Sequence, residues 1–126
     1  STMVTVVMVE LRVLDGLSID GRPVRLRTRR AESLLAFLAL HPGEHPRDEI
    51  VARFWPDDGQ EAGRQKLRLA LMSIRGEVGD RLTGDRRTVR LDLEPVDAER
   101  GTDRPLPGIE GEWAVEWRRA WAERRA

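Results

Sequence analysis

The sequence predicts a small α+β fold, in which a strand-rich N-terminal segment precedes three helices, a β-hairpin and one further helix. Two periodicities support this. Near the N-terminus and around residue 90, apolar and polar residues alternate as they do in half-buried strands. Between residues 28 and 78 the apolar residues recur at helical spacing. With 126 residues, 40% of them apolar, the chain can bury one core, so we expect one compact domain with an appendage.

The segment from Val4 to Leu26 predicts an antiparallel meander, because it is rich in valine and is interrupted by two turn signals. These are Asp15-Gly16 and Asp20-Gly21, whose residue types tolerate the backbone conformations of tight turns. The expected strands are a first one ending at Leu14, a second over 17–19 and a third over 24–26.

Two helices are expected next. The first runs from Arg29 to Leu40, with Thr28 as its N-cap and Pro42-Gly43 as its stop signal. The second begins at Pro46 and ends at Trp55-Pro56. Proline suits the first helical position because the backbone N–H that it lacks would have no partner there.

The third predicted helix, from Glu61 to Val78, has the most regular pattern in the chain. Its inward residues are Leu67, Ala70, Leu71, Ile74 and Val78. The opposite side carries Gln65, Lys66, Leu69, Met72, Ser73 and Gly76, and one flank carries Arg64, Arg68 and Arg75.

A hairpin with a strongly basic tip is predicted after this helix, with strands at 81–83 and 88–93 and a turn at Gly84-Asp85. The compact domain is expected to span 3–94, followed by a proline-containing linker over 95–108. Residues 109–126 predict an amphipathic C-terminal helix with tryptophans at every fourth position.

The charges are balanced but segregated. The chain has 22 basic and 22 acidic residues and a formal net charge of zero, whereas DNA-binding proteins usually carry a basic excess. A locally basic face nevertheless attracts phosphate, and arginines cluster at 22–30 and at 64–90. The alternative interpretation is that these are ordinary solvated faces.

The order of elements is that of a winged helix-turn-helix: two helices joined by a short polar turn, the second basic, and then a basic hairpin. Such a second helix fits the major groove and the hairpin reaches the backbone. The hypothetical phosphate contacts are Arg47, Arg64, Lys66, Arg68, Arg75, Arg86, Arg87 and Arg90. Base edges would be met by Gln65 and Ser73, and thymine methyl groups by Leu69 and Met72.

Four segments resemble the OmpR-type DNA-binding domain of the Streptomyces antibiotic regulatory proteins. They are 11–26, 31–40, the turn Phe54-Trp55-Pro56-Asp57 and the helix Ala62-Gly63-Arg64-Gln65-Lys66-Leu67-Arg68-Leu69-Ala70-Leu71. Leu106-Pro107-Gly108 with Glu112-Trp113 is similar to part of the bacterial transcriptional activator domain that follows it in that family. Family members usually have polar or aromatic residues where this chain has Leu69 and Met72.

The resemblance implies a bacterial, cytoplasmic transcriptional regulator without a cofactor. It would place the third helix in the major groove of promoter repeats and the wing on the backbone. A homodimer or side-by-side protomers on DNA, and RNA polymerase as a protein partner, are further expectations of this resemblance.

The sequence also bears on two other classes of function. A protein-interaction module would use Leu69, Met72 and the tryptophans Trp113, Trp117 and Trp121 on a partner, although these indoles could instead fold back on their own domain. An enzyme is not expected. Cysteine is absent, and His41, Glu44 and His45 lie in a loop without a further histidine to complete a metal site. No catalytic residue, metal ligand or membrane-spanning segment is predicted.

Overall fold

The computed structural model describes residues 10–13, 16–95, 105–107, 109 and 111–125. This part of the chain forms a mixed α+β domain with two small antiparallel sheets and four α-helices. The first expected strand lies outside the described residues over 4–9 and at Leu14. The same is true of Asp15 in the first expected turn and of residues 96–104 and 108 in the expected linker.

The first sheet contains β1 (Leu11–Arg12), β2 (Ser18–Ile19) and β3 (Arg22–Pro23), paired in this order. The prediction of the third strand at 24–26 was wrong. Asp20 and Gly21 both have positive φ, 52° and 82°, as the two central residues of a type I′ turn do, and this twist suits a two-residue hairpin. The strand therefore resumes immediately after the turn, where Ile19 pairs with Arg22.

The core is organised around α1 (Arg29–Leu40), whose predicted bounds are confirmed. Thr28 caps it as expected, because its Oγ1 accepts a hydrogen bond of 3.0 Å from the Ala31 N–H and satisfies a donor of the first turn. Two of its leucines, Leu34 and Leu35, are completely buried. Helix α3 (Gln60–Val78) packs against both α1 and α2 (Arg47–Phe54), and its five predicted inward residues are all buried.

Strand β4 (His45–Pro46) was not predicted, and it corrects the expected start of the second helix. Pro46 has an extended backbone, with ψ 133°, and pairs with Thr88, so it precedes α2 instead of forming its first turn. A strand of two residues is too short to show alternation, although the residue before a proline favours extended backbone. Pairing with a strand distant in sequence makes this segment part of a sheet.

The second sheet has the order β4-β6-β5 and contains the hairpin of β5 (Leu82–Gly84) and β6 (Thr88–Leu91). The predicted hairpin is confirmed, but its bounds differ from the expected ones. The first strand begins at Leu82, because Arg81 belongs to a 3-10 turn, and it includes Gly84, which was expected in the turn but pairs with Val89. The second strand ends at Leu91, before the expected Leu93. Val89 and Leu91 face the core and Arg90 between them is exposed, as the two-residue period of a strand requires.

The C-terminal helix α4 (Glu112–Arg125) is also confirmed, and it packs on the rest of the domain. Its residue Trp113 is 4% exposed, and its indole ring lies 5.4 Å from the Phe37 ring in an edge-to-face contact. The Trp113 Nε1–H donates a hydrogen bond of 2.8 Å to the Oγ of buried Ser33. The start of the helix thus belongs to the core of the same domain.

The segment before α4, expected to be linker, is held by α4 itself. Arg118 donates hydrogen bonds to the backbone carbonyls of Pro105, Leu106 and Ile109, at 3.0, 2.6 and 2.7 Å. Leu106 is completely buried and has a left-handed φ of 59°, which a leucine rarely adopts without surrounding contacts to hold it. The core therefore extends beyond the boundary expected at residue 94.

Candidate nucleic-acid interface

A groove lined by arginines lies between α3 and the β5–β6 hairpin. Three elements supply its cations: α2 contributes one from its first turn, α3 contributes three, and the hairpin loop contributes two. We call this surface the arginine groove. Its arginines are Arg47, Arg64, Arg68, Arg75, Arg86 and Arg87.

Helix geometry explains why α3 supplies three of them. Arg64, Arg68 and Arg75 occupy positions that fall on one flank of a helix with 3.6 residues per turn. The buried stripe beside them holds this flank towards the hairpin. Arg75 also reaches the hairpin directly, since its Nη2 donates a hydrogen bond of 3.3 Å to the Leu82 carbonyl.

Arg47 connects α2 to the hairpin. Its Nε donates a hydrogen bond of 2.7 Å to the Asp85 carbonyl, and its backbone N–H donates one to the Arg87 carbonyl. Burial lowers the pKa of Arg47 from its usual value; the Asp85 carboxylate opposes this change, and the positive charges of Arg68 and Arg75 add to it. The crowding of like charges makes the groove locally electropositive, although the chain is neutral overall.

Asp85 shapes the hairpin loop that presents Arg86 and Arg87. Its Oδ1 accepts backbone hydrogen bonds from the N–H groups of Arg87 and Thr88, at 2.7 and 2.8 Å, as an aspartate in an Asx turn does. These two bonds hold the pKa of the Asp85 carboxyl below its usual value of 3.8, and the bond from Thr88 has the larger effect.

The lowered pKa of Asp85 predicts the pH range in which the loop loosens. A carboxyl whose folded-state pKa is lowered stabilises the fold above its unfolded pKa, and this stabilisation is lost as the pH falls through the folded pKa. In an NMR titration we expect the Arg87 and Thr88 amide resonances to shift together with a midpoint below 3.8. Asp85→Asn should abolish this transition; a midpoint above 3.8 in the unsubstituted protein would contradict the assignment.

Three of the predicted phosphate-binding cations are paired with carboxylates of the same chain. The pairs are Arg64–Asp48 at 3.0 Å, Lys66–Asp58 at 2.8 Å and Arg90–Asp92 at 2.7 Å. Exposed ion pairs of this kind contribute only about 0–1 kcal/mol, so a phosphate group can replace the carboxylate at little cost. Within the described residues, the structure assigns no ion pair to the side chains of Arg68, Arg86 and Arg87.

The other predicted contact residues lie outside the arginine groove. Gln65, Leu69 and Met72 are exposed on the outer side of α3, where the sequence places them. Lys66 and Ser73 lie on the flank of α3 opposite its three groove arginines, which we call the far flank. The Ser73 Oγ accepts a hydrogen bond of 3.2 Å from the Arg27 backbone N–H. Arg90 lies on β6 and does not line the groove.

Two charged residues of the arginine groove, Asp48 and Asp85, were not identified as site residues from the sequence. Asp48 pairs with Arg64 from sixteen residues away, and no local pattern indicates such a pair. Asp85 was recognised only as a turn residue, although the turn signal also marks the loop that its carboxylate organises. Both carboxylates therefore modulate the charge of the groove.

The three tryptophans of α4 have different environments. Trp113 lies in the core of its own chain, as the fold-back interpretation expects, whereas Trp117 and Trp121 are half-buried. The rings of these two are stacked, with centroids 5.3 Å apart and an angle of 16° between their planes. The three indoles therefore do not form a single exposed stripe.

Both histidine rings are engaged by the backbone. His41 Nδ1 lies 2.9 Å from the Phe37 carbonyl and His45 Nε2 lies 2.6 Å from the His41 carbonyl, so these nitrogens donate to the chain itself. The His41 ring also stacks on the Phe37 ring. Over the described ranges, no group of three or more His, Cys, Asp or Glu side chains is arranged to hold a metal ion.

Comparison of this chain with family models, curated proteins and solved structures finds no match. None of the helices in the described part of the chain is both long enough and apolar enough to cross a membrane.

Proposed function

We propose that this chain is a sequence-specific DNA-binding transcriptional regulator of the winged helix-turn-helix type, similar to the OmpR-type domain of Streptomyces antibiotic regulatory proteins. Helix α3 would lie in the major groove and the β5–β6 hairpin would act as the wing on the backbone. The observation that carries this proposal is the arginine groove, in which six arginines from three elements line one concave surface beside the longest helix.

The groove has the chemistry of a phosphate-binding surface. Arginine binds phosphate through parallel N–H donors, and its pKa keeps it charged at neutral pH even where burial lowers that pKa, as at Arg47. Arg68, Arg86 and Arg87 have no ion pair in the described part of the chain, and Arg64 shares its charge with one exposed carboxylate. The phosphates of a duplex could therefore bind several arginines, and, among the described residues, only the Arg64–Asp48 ion pair would have to break.

Helix α3 has the dimensions and exposure that the major groove requires. Its 19 residues correspond to a length of about 28 Å, and its outer side is exposed. The major groove is wide enough to admit an α-helix. With Arg64, Arg68 and Arg75 on the flank beside the hairpin, one strand of phosphates would run between helix and hairpin.

The first test is binding to duplex DNA of random sequence at several salt concentrations, followed by selection of the bound sequences. Arg64→Ala and Arg68→Ala are each expected to weaken binding several-fold and to reduce the log–log salt slope by about 0.9 per lost phosphate contact. Arg119→Ala, an exposed arginine on α4 that does not line the groove, is the matched control and should bind normally. Absence of binding even at low salt would overturn the proposal.

The Arg64–Asp48 pair leads to a substitution that should strengthen binding. Asp48→Asn keeps the shape of the side chain but removes the carboxylate that competes with phosphate for Arg64. We expect the affinity for any duplex to rise by a few-fold at low salt, since one unfavourable charge leaves the groove. Asp57→Asn makes the same charge change at an exposed residue that does not line the groove. Equal effects of the two variants would show that only net charge matters.

A second candidate function is a winged-helix protein-interaction module with weak or no DNA binding. It is favoured by an apolar groove on the far flank of α3, formed by Ala31, Trp55, Leu69 and Ala70 and rimmed by Arg27, Arg30 and Lys66. This surface suits a partner segment that carries apolar and acidic side chains. Binding through the apolar residues would depend little on salt and would be lost in Leu69→Ala, whereas Arg64→Ala would leave it unchanged.

The proposed regulator would act in the cytoplasm on repeated promoter elements. Repeats would place protomers side by side or as a homodimer, and RNA polymerase is the protein partner that such a regulator would contact. The half-site spacing of the selected sequences would test the arrangement of the protomers, because each protomer would occupy one turn of the duplex.

A further inference from the structure

The outer face of α3, opposite its buried stripe, has little capacity for hydrogen bonding. Between residues 65 and 76 it consists of Gln65, Leu69, Met72 and Gly76, so a single amide accompanies two apolar side chains and a glycine. Leu69 is 43% exposed and Met72 is 64% exposed, which makes them two of the three large exposed apolar residues in the described chain. If α3 enters the major groove, this face meets the bases.

The neighbouring polar groups of α3 lie on its two flanks, to either side of this outer face. Ser73 accepts a bond from the Arg27 N–H, which ties its Oγ to the loop before α1. Lys66 lies on the same flank and pairs with Asp58. The α3 arginines are on the opposite flank and face the hairpin, where the phosphates would run.

We propose that the DNA sites of this protein are selected through the 5-methyl groups of thymines facing Leu69 and Met72, an inference that rests on the proposed function. The thymine methyl is the apolar group that unmodified base pairs display in the major groove. The other base edges there carry donors and acceptors, and covering these with leucine or methionine would remove their water without replacing the hydrogen bonds. An apolar reading face therefore favours thymine and disfavours G·C pairs.

The spacing of the two side chains indicates where the thymines lie. Leu69 and Met72 are three residues apart on one face, about 4.5 Å along the helix axis. Successive base pairs are separated by about 3.4 Å. The two side chains would thus meet methyl groups on adjacent base pairs, and the unbranched, flexible Met72 can adjust to the difference in spacing.

The test uses the full chain and a duplex selected from random sequence, in which single thymines are replaced by deoxyuridine. Uracil pairs as thymine does but lacks the methyl group, so the hydrogen-bond pattern stays unchanged. At two adjacent positions we expect each replacement to weaken binding about three- to fourfold, the effect of one methyl group left without its apolar contact. Leu69→Ala should lose this discrimination at one position and Met72→Ala at the other, while the control Arg119→Ala should retain both.

The outcomes separate the two proposals. Specific binding that tolerates uracil throughout would overturn methyl reading and leave the DNA-binding proposal standing. Discrimination that persists at both positions in each of Leu69→Ala and Met72→Ala would also overturn it, since the deformability of the duplex would then be the cause. Failure of every duplex to bind at low salt would overturn the proposed function, and with it this inference.

Discussion

Trp113→Ala is expected to lower the free energy of unfolding by about 3–5 kcal/mol, the usual cost of truncating a buried aromatic side chain. Trp113 is 4% exposed and packs edge-to-face on Phe37 and His41. Its indole N–H is also the donor to Ser33, which is 3% exposed. The substitution would therefore leave both a cavity and a buried hydroxyl without this donor.

Urea denaturation followed by far-ultraviolet circular dichroism would measure the effect. Ser33→Ala isolates the hydrogen bond, because it leaves the indole in place but removes its acceptor, and it should cost about 1–3 kcal/mol. Val115→Ala, at a residue on α4 that is 53% exposed, is the control and should change stability by less than about 0.5 kcal/mol. If Trp113→Ala were as mild as Val115→Ala, α4 would not be part of the core in solution.

The second large effect is expected at Gly63, where α2 and α3 come closest together. A methyl group on this glycine would overlap Cγ1 of Val51, a buried and β-branched side chain that has little freedom to move away. Overpacking of this kind costs about 1–3 kcal/mol, which exceeds the gain that alanine normally brings inside a helix. Gly63→Ala is therefore expected to destabilise the protein.

Gly76→Ala is the matched control, since Gly76 is an exposed glycine in the same helix and no atom lies within 4 Å of an added methyl. It should stabilise the protein by about 0.4–1 kcal/mol. A double variant with Val51→Ala should relieve part of the overlap, so that the two substitutions together cost less than their sum. If Gly63→Ala and Gly76→Ala changed the free energy of unfolding in the same direction, the close approach of α2 to α3 would be refuted.

Gly63 also matters for the proposed function, because α2 positions Arg47 and α3 positions Arg64 in the same groove. A change in the distance between these helices would separate the two guanidinium groups. DNA binding by Gly63→Ala should therefore fall even at temperatures where the variant remains folded. Gly76→Ala adds a methyl group to the outer face of α3, so any change in its DNA binding would come from contacts between this face and the bases.

The helices could be predicted from the sequence because their signals are local. The apolar period of α3 and the Thr28 cap of α1 involve residues within a few positions of one another, and the bounds of both elements follow from them. The hairpin turn is equally local. The five groove arginines on α3 and in the hairpin loop could be named in advance because these local signals set the two elements, and Arg47 was named from its place near the start of the second helix.

Only the tertiary structure decided which of these residues come together. Strand β4 exists because Pro46 pairs with Thr88. Trp113 is buried where its indole N–H donates a hydrogen bond to Ser33, 80 residues earlier in the chain. The same holds for Lys66, which resembled the groove cations in sequence but pairs with Asp58 on the other flank. Composition and period specify which face of an element is apolar or charged; which partner covers that face depends on packing between distant segments, which no local pattern records.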